Sequence, residues 1–255
     1  MSLQACADIV AKGDPDRFAA AMAGPVAARE VLFPLYAFNV EVTRAAWIAS
    51  EPMIGEMRLQ WWRDVLDEIA TGKPVRAHEV STPLAEALDA GAATALDKLV
   101  QARRWDLYSD AFEDTAHFDD YLSKTGGVLM WTGARLLGAQ AGAVTKVTAL
   151  GRGAALARFL AAVPELEARG RIPLVDGRPE AIKSLCQDAM KALPTSGTLK
   201  MAVPRAARPA LLEGWQAYPL LGLAIERPHL VAEGGLRLSE FDKRWRLLRA
   251  SFLGL

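Results

Sequence analysis

Apolar residues recur at three- and four-residue steps along almost the whole chain. Between Val26 and Ile48 the positions Val31, Leu32, Leu35, Phe38, Val42 and Ala46 share one helical face. Pro34 falls inside that run, where its missing N–H and its ring predict a kink or a split into two pieces. A second helix is predicted to open near Glu51-Pro52, with proline at a permitted first-turn position, and to stop at Gly72-Lys73-Pro74. Its stripe is Met53, Met57, Trp61, Val65 and Leu66, widened by Leu59, Trp62 and Ile69. Further helices are predicted over residues 83–89, 92–112, 118–138, 143–163 and 178–192. Two or three shorter ones follow from Pro204 onward, of which 238–252 is the clearest. Asp119 and Ser239 suit helix starts, and Gly72 and Gly138 suit stops. Alternating Val/Ile/Thr runs are too short for strands. The expected fold is all-α, one domain over residues 1–255, with the loop 170–179 as its one obvious break.

Composition narrows the function classes. The 255 residues hold 30 Lys+Arg and 30 Asp+Glu, a formal net charge of +0. No global field favours nucleic acid, so no nucleic-acid partner is expected. Cys6 and Cys186 lie far apart in no metal or redox spacing, and each is expected to be a small apolar filler. The N-terminus lacks a basic start followed by an apolar block, so no signal peptide is read. The apolar run 218–225 is too short to span a bilayer. The expected location is cytoplasmic, with room for contact at the face of the inner membrane. No G-x-S-x-G, P-loop or G-x-G-x-x-G occurs, and His78 and His229 have no nucleophile at a suggestive spacing.

Paired carboxylates four residues apart project from one helix face. Two such helices facing each other would hold Mg²⁺, which keeps waters and takes oxygens from substrate phosphates. This chain keeps the surroundings of such a site and lacks its acids. Leu35-Tyr36-Ala37-Phe38-Asn39-Val40-Glu41 and Arg58-Leu59-Gln60-Trp61-Trp62-Arg63-Asp64 resemble the squalene/phytoene synthase family. So do Tyr121-x-x-x-Thr125-Gly126-Gly127, and Leu160-x-x-Val163-Pro164-Glu165 running into Arg169-Gly170-Arg171-Ile172-Pro173. The resemblance covers a core at residues 17–174 in colinear order and fades over the helical C-terminal part, 175–255. It implies an isoprenoid-synthase-like helical bundle around a central cavity.

Carried over by position, the first Asp-x-x-x-Asp of active members falls on Thr43 and Trp47, with Arg44 between them. The second falls on Ala162 and Leu166, and only Glu165 keeps a charge there. Ala161 stands where the family has an Arg, and Ala155 and Arg158 where it has polar residues a turn earlier. Losing four carboxylates removes the oxygen ligands on which Mg²⁺ depends. No metal and no catalytic residue are therefore expected. Ala-Phe-Asn-Val-Glu at 37–41, with Ile54-Gly55-x-Met57-Arg58-Leu59-Gln60-Trp61-Trp62, is most similar to the family's non-catalytic branch, which includes the mitochondrial complex I assembly factor and bacterial relatives. That resemblance implies a pseudoenzyme assisting respiratory complex I assembly, with a complex I subunit or assembly intermediate as partner, or binding an isoprenoid or other lipophilic ligand. The alternative is an active prenyltransferase joining two isoprenyl diphosphates head to head. It would need Mg²⁺ on a site displaced to Glu41, Glu165 and Glu167.

Pocket candidates are Tyr36, Phe38, Arg44, Arg58, Trp61, Tyr121 and Arg171. Each has a plainer reading. Trp61 is expected in the core with Trp62 covering its edge, and Tyr36, Phe38 and Tyr121 are equally good interior aromatics. Arg44, Arg58, Arg63 and Arg171 would form a basic mouth able to hold a diphosphate or carboxylate without metal. Ion pairing is the plainer account, Arg63 with Asp67 and Arg58 with an acid on its own helix. His117-x-Asp119-Asp120 is read as helix-start chemistry, not as a metal site. Gly151-Arg152-Gly153 is read as room for close helix approach. The run Lys243-Arg244-Trp245-Arg246-Leu247-Leu248-Arg249 is expected on a last amphipathic helix with Leu247, Leu248 and Phe252 inward. That helix is the candidate for peripheral membrane or partner contact.

Overall fold

The computed structural model describes residues 2–48 and 51–253, without the side chains of Ile48 and Leu253. Residues 1, 49, 50, 254 and 255 of the expected 1–255 span lie outside the described residues. Among those described there is helix and no strand. The first two helices, α1 (Leu3–Gly13) and α2 (Pro15–Ala23), were not expected from the pattern. Asp14 joins them: its side chain accepts from the Arg17 N–H at 3.0 Å, and Pro15 opens α2 with its φ already set.

The central helix is α3 (Val26–Ile48), buried at every position from Leu32 to Val40. Pro34 does not split it. The carbonyl that loses its partner belongs to exposed Glu30, where water can take it up, and packing on all sides holds the rest. On α4 (Pro52–Ala70) the two tryptophans are reversed from expectation. Trp62 is buried edge-on to Phe38 at 5.3 Å, and half-buried Trp61 covers it at 4.8 Å. Arg63 bonds Asp97 of α6 (Ala90–Arg103) at 2.7 Å, not Asp67, so it ties two helices together. Arg58 is exposed and has no ion pair among the described residues.

Between α4 and α6 lies the short α5 (Ser81–Ala87). Beyond α6 the expected long helix is cut short. A 3₁₀ turn, Arg104–Leu107, leads into a loop, and Asp114 caps α7 (Thr115–Leu122) by accepting from the His117 N–H at 2.8 Å. Asp119 is therefore not the cap; it lies inside α7, 3.3 Å from Arg152. A π-turn over Ser123–Gly127 joins α7 to α8 (Val128–Leu136). It lies against α9 (Val144–Ala168), which runs on through Pro164 rather than ending before it.

The remaining helices are α10 (Pro179–Ala192), α11 (Ser196–Ala202), α12 (Ala217–Glu226) and α13 (Glu240–Leu253), with a 3₁₀ segment at Arg205–Gly214. One apolar cluster takes in residues from Cys6 to Leu236 and so binds the C-terminal helices to the rest. Both cysteines are free and buried in it, and burial pushes their thiols up to about 11 for Cys6 and about 12 for Cys186. Ser239 caps α13, accepting from the Asp242 N–H at 3.1 Å. Leu247 and Ala250 pack on Ala20, Leu212 and Trp215, but Leu248 and Phe252 face outward, against expectation. No helix among the described residues is long and apolar enough to cross a membrane.

The π-turn and α9 meet through glycine. A Cβ on Gly151 would stand 2.5 Å from the Gly126 carbonyl oxygen, and one on Gly126 would stand 2.6 Å from the Gly151 carbonyl oxygen. Neither backbone can move without opening the junction. Gly151→Ala is expected to cost about 1–3 kcal/mol by overpacking. Gly222→Ala, inside α12 with nothing within 4 Å of its Cβ position, should instead gain about 0.5–1 kcal/mol. Urea denaturation of both variants checks the pair, and equal midpoints would refute the close-approach account.

Candidate functional site

α3 and α9 both line a cavity of about 440 Å³. Thr43 and Trp47 are four residues apart on α3, so they share a face; Ala155, Arg158, Phe159, Ala162 and Leu166 form the matching stripe on α9. The four positions that would carry paired acids therefore do converge on one space. The π-turn brings Thr125 and Gly126 to its wall, and the approach of Gly126 to Gly151 sets how near that wall stands.

The wall is cationic. Six arginines line it: Arg17, Arg44, Arg103, Arg158, Arg169 and Arg171. Among the described residues only two acids do, Asp14 and Asp106, and both are already engaged.

The first network lies on one side. Arg17 reaches Asp14 at 2.5 Å and donates from Nε to Glu213 in a short contact. Arg158 donates to the Glu213 backbone carbonyl at 2.5 Å and lies 3.6 Å from its carboxylate. Glu213 is only 2% exposed, so it is a buried acid shared by two guanidinium groups. Burial works against the Arg17 charge, but Glu213 and Asp14 outweigh it and hold the guanidinium firmly charged. Burial pulls Arg158 down, helped by the like charge of Arg17. Burial would raise Asp14; the charges of Arg17 and Arg158 win and lower it. Tyr36 lies behind this network, with Arg17 5.7 Å from its ring, and burial drives its phenol well up.

The second network surrounds Tyr121. Its hydroxyl accepts from Arg103 at 2.7 Å and donates to Asp106 at 2.8 Å. Burial raises the phenol, so it stays protonated and able to donate. Arg171 donates to the carbonyls of Asp106 at 2.5 Å and Trp105 at 2.9 Å while lying 4.1 Å from the Trp105 ring centre. At the rim Arg169 stacks on Trp47 at 4.0 Å, and Arg44 is exposed, 3.3 Å from Glu41.

Three lining residues carry buried polar atoms with no hydrogen-bond partner: the Thr43 hydroxyl and the Nε groups of Arg103 and Arg171. Each unpaired buried donor costs on the order of 1–3 kcal/mol.

A sequence profile of squalene/phytoene synthases matches residues 10–175. The chain belongs to the squalene/phytoene synthase family. Its curated relatives include NADH dehydrogenase (ubiquinone) complex I, assembly factor 6, of Bos taurus and of Homo sapiens, each 27% identical over 135 residues, 52% of this chain and 40% of theirs. The Drosophila melanogaster homologue of that factor is 28% identical over 183 residues, 67% of this chain and 53% of its own. The chain thus spans about half the length, or less, of the relatives it matches. A crystal structure of a dehydrosqualene synthase in complex with ligand superposes with a TM-score of 0.80 at 16% identity, covering 98% of this chain and 96% of that one, which establishes the shared fold.

The residues of this squalene/phytoene synthase homologue do not fit the Mg²⁺ that the family resemblance implies. Thr43, Trp47, Ala162 and Leu166 supply one hydroxyl and no carboxylate, while Arg44, Arg158 and Arg169 stand around them. Among the described residues no group of three or more His, Cys, Asp or Glu is arranged to hold a metal ion. Glu41, Glu165 and Glu167 do not line the cavity, and Glu165 faces out toward Arg169 at 3.4 Å.

Of the pocket candidates, the structure brings Arg44, Tyr121 and Arg171 to the cavity. It does not bring Tyr36, Phe38, Arg58 or Trp61 there: the first two are sealed in the core, and the others lie on the outer side of α4. Asp14, Arg17, Arg103, Asp106, Phe159 and Glu213 were not anticipated. Asp14-Pro15-Asp16-Arg17 carries a helix-start signal, and Arg103 and Asp106 are at i,i+3 spacing, so both were discoverable. The bond from Arg17 to Glu213, 196 residues away, leaves no local trace.

Removing the Glu213 carboxylate leaves buried Arg17 with Asp14 alone and half-buried Arg158 with no acid in contact among the described residues. Glu213→Ala is expected to cost about 3–5 kcal/mol, and Glu213→Gln less because the shape and one acceptor stay. Asp14 adds a pH signature. Its folded pKa is lowered from 3.8, so its contribution is present above that value and disappears as pH falls through the lower folded one. Stability measured by urea at stepped pH should fall less steeply below pH 3.8 in Asp14→Asn than in the parent.

Proposed function

We propose that this squalene/phytoene synthase homologue is a non-catalytic member that holds a lipophile with an anionic head and serves respiratory complex I assembly. One observation carries the first half: the four motif positions meet in a single cavity that offers arginines where acids would be needed. Guanidinium forks bind phosphate or carboxylate oxygens directly. Val40, Trp47, Leu107, Leu122, Phe159 and Leu166 give the same space apolar walls for a hydrocarbon tail. A diphosphate placed there meets guanidinium donors in place of a metal ion, one of them, Arg171, without an acid partner among the described residues. The assembly half is supported by the names of the curated relatives, read across partial coverage. In this reading a complex I subunit or intermediate is the partner, and the protein works at the cytoplasmic face of the inner membrane.

The test uses farnesyl diphosphate as probe. With Mg²⁺ present, diphosphate release should not exceed the protein-free blank; turnover within the usual enzymatic range, roughly 1–10³ s⁻¹, would overturn the non-catalytic reading. By calorimetry, binding should persist in excess EDTA and weaken at least about tenfold in Arg158→Ala, the loss of one charge-assisted contact. Binding that requires Mg²⁺ would contradict the arginine-based site. Deleting the gene should lower complex I content in membranes, and unchanged content would count against the assembly role.

A further inference from the structure

The outward face of α13 belongs to neither the cavity nor the core. At about 100° per residue, Phe241, Trp245, Leu248 and Phe252 fall within an arc of about 60°. All four are open to solvent, at 76%, 52%, 48% and 82% exposure. Leu247, Ala250 and Lys243 lie on the opposite side of the helix, and these attach it to the body: Leu247 and Ala250 on Ala20, Leu212 and Trp215, and Lys243 to Asp16 at 3.5 Å. The helix is thus anchored by its narrow inner edge and turns its larger apolar stripe away from the protein.

Charge frames that stripe. Arg244 lies about 40° beyond one edge of the arc and Arg249 about 40° beyond the other, with Arg246 farther round on the Arg249 side. None of the three has an ion pair among the described residues. The helix's two acids are confined to its first turn, where Glu240 lies 3.4 Å from Lys243 and Asp242 accepts from Ser239 at 2.8 Å. Large apolar side chains at the centre, an aromatic among them with a polar ring nitrogen, and unpaired arginines at the margins make an interfacial helix.

We propose that α13 seats this protein on an anionic membrane surface, with Phe241, Trp245, Leu248 and Phe252 entering the acyl boundary and Arg244, Arg246 and Arg249 on lipid phosphates. A second copy of the chain fits less well. Two such faces together would crowd six arginines along one seam without an acid to meet them. Four side chains on a 14-residue helix also fall short of the roughly 800 Å² per partner that a stable interface buries. The inference stands on the helix alone and is independent of what the cavity holds.

The experiment is co-sedimentation of the full chain with vesicles of phosphatidylglycerol and phosphatidylcholine, or of phosphatidylcholine alone. Binding is expected on the anionic vesicles only, weakened by 0.5 M salt. The Arg244→Ala/Arg246→Ala/Arg249→Ala variant should bind about a hundredfold more weakly, three surface charges having been removed. Trp245→Glu/Phe252→Glu should lose at least about tenfold. Both variants should keep the parent's urea midpoint, because the altered side chains face solvent. Failure of the parent to bind anionic vesicles would overturn the proposal, as would equal binding by the Trp245/Phe252 variant. A dimer of the parent in sedimentation equilibrium that the same variant dissociates would overturn it in favour of a second copy.

Discussion

Glu213 sets the terms for everything around the cavity. An acid this buried is tolerated only with cations on it, and Arg17 and Arg158 provide them from helices far apart in sequence. Its own position comes from the 3₁₀ segment Arg205–Gly214, which packs against α2, α8 and α9 and is buried from Pro209 onward. The chain therefore closes on itself there: the N-terminal α2, the motif-bearing α9 and the C-terminal third are tied through one carboxylate. Asp14 adds a second bond to Arg17 and at the same time caps α2, so the orientation of that helix and of the guanidinium are one choice. A cavity walled by charged groups stays open because those groups are fixed by one another rather than free to collapse into it.

Most of the architecture was legible because helical periodicity is local. α3, α4 and α10 appear in the apolar spacing almost to the residue, and the turn glycines Gly72 and Gly138 both adopt positive φ, at 68° and 101°. What went astray was decided by packing. Pro34 and Pro164 suggest breaks, yet both lie inside continuous helices, each held by a buried face: Leu32 to Val40 around Pro34, and Leu160, Val163 and Leu166 around Pro164. The missed start at Asp114 reflects competition: Asp119 and Asp120 are as good a signal on paper, and only the loop after Leu107 decides among them. The inward-facing expectation for Leu248 and Phe252 assumed that apolar residues seek the core, which holds only where there is core left to join.

The site was legible as an absence and illegible as a presence. Thr43, Trp47, Ala162 and Leu166 stand out because the surrounding residues lead one to expect acids there. Which cations replace them depends on long-range approach, and of the six lining arginines only Arg44 and Arg171 were named as pocket candidates. Tyr36 and Phe38 show the reverse error. They belong to the recognisable stretch before the first motif, but they support the wall from behind, where their size matters and their chemistry is silent.

The two helices that carry the motif positions are joined at the rim of the cavity. A Mg²⁺ between two Asp-bearing helices would hold the ends of α3 and α9 together, and losing it would leave like-charged ends to part. Here Arg169, one residue past α9, lies 4.0 Å from the ring centre of Trp47 on α3 and within 3.5 Å of the Trp47 carbonyl. A cation–π contact of this kind is worth about 0.5–2 kcal/mol depending on desolvation, and a cation at the C-terminal end of a helix is favourable in its own right. α3 and α9 are thus bridged by a side-chain cation carried within the chain. That contact lets the chain itself hold together the two helices that wall the cavity, on a side lined by arginines where Thr43, Trp47, Ala162 and Leu166 bring no carboxylate.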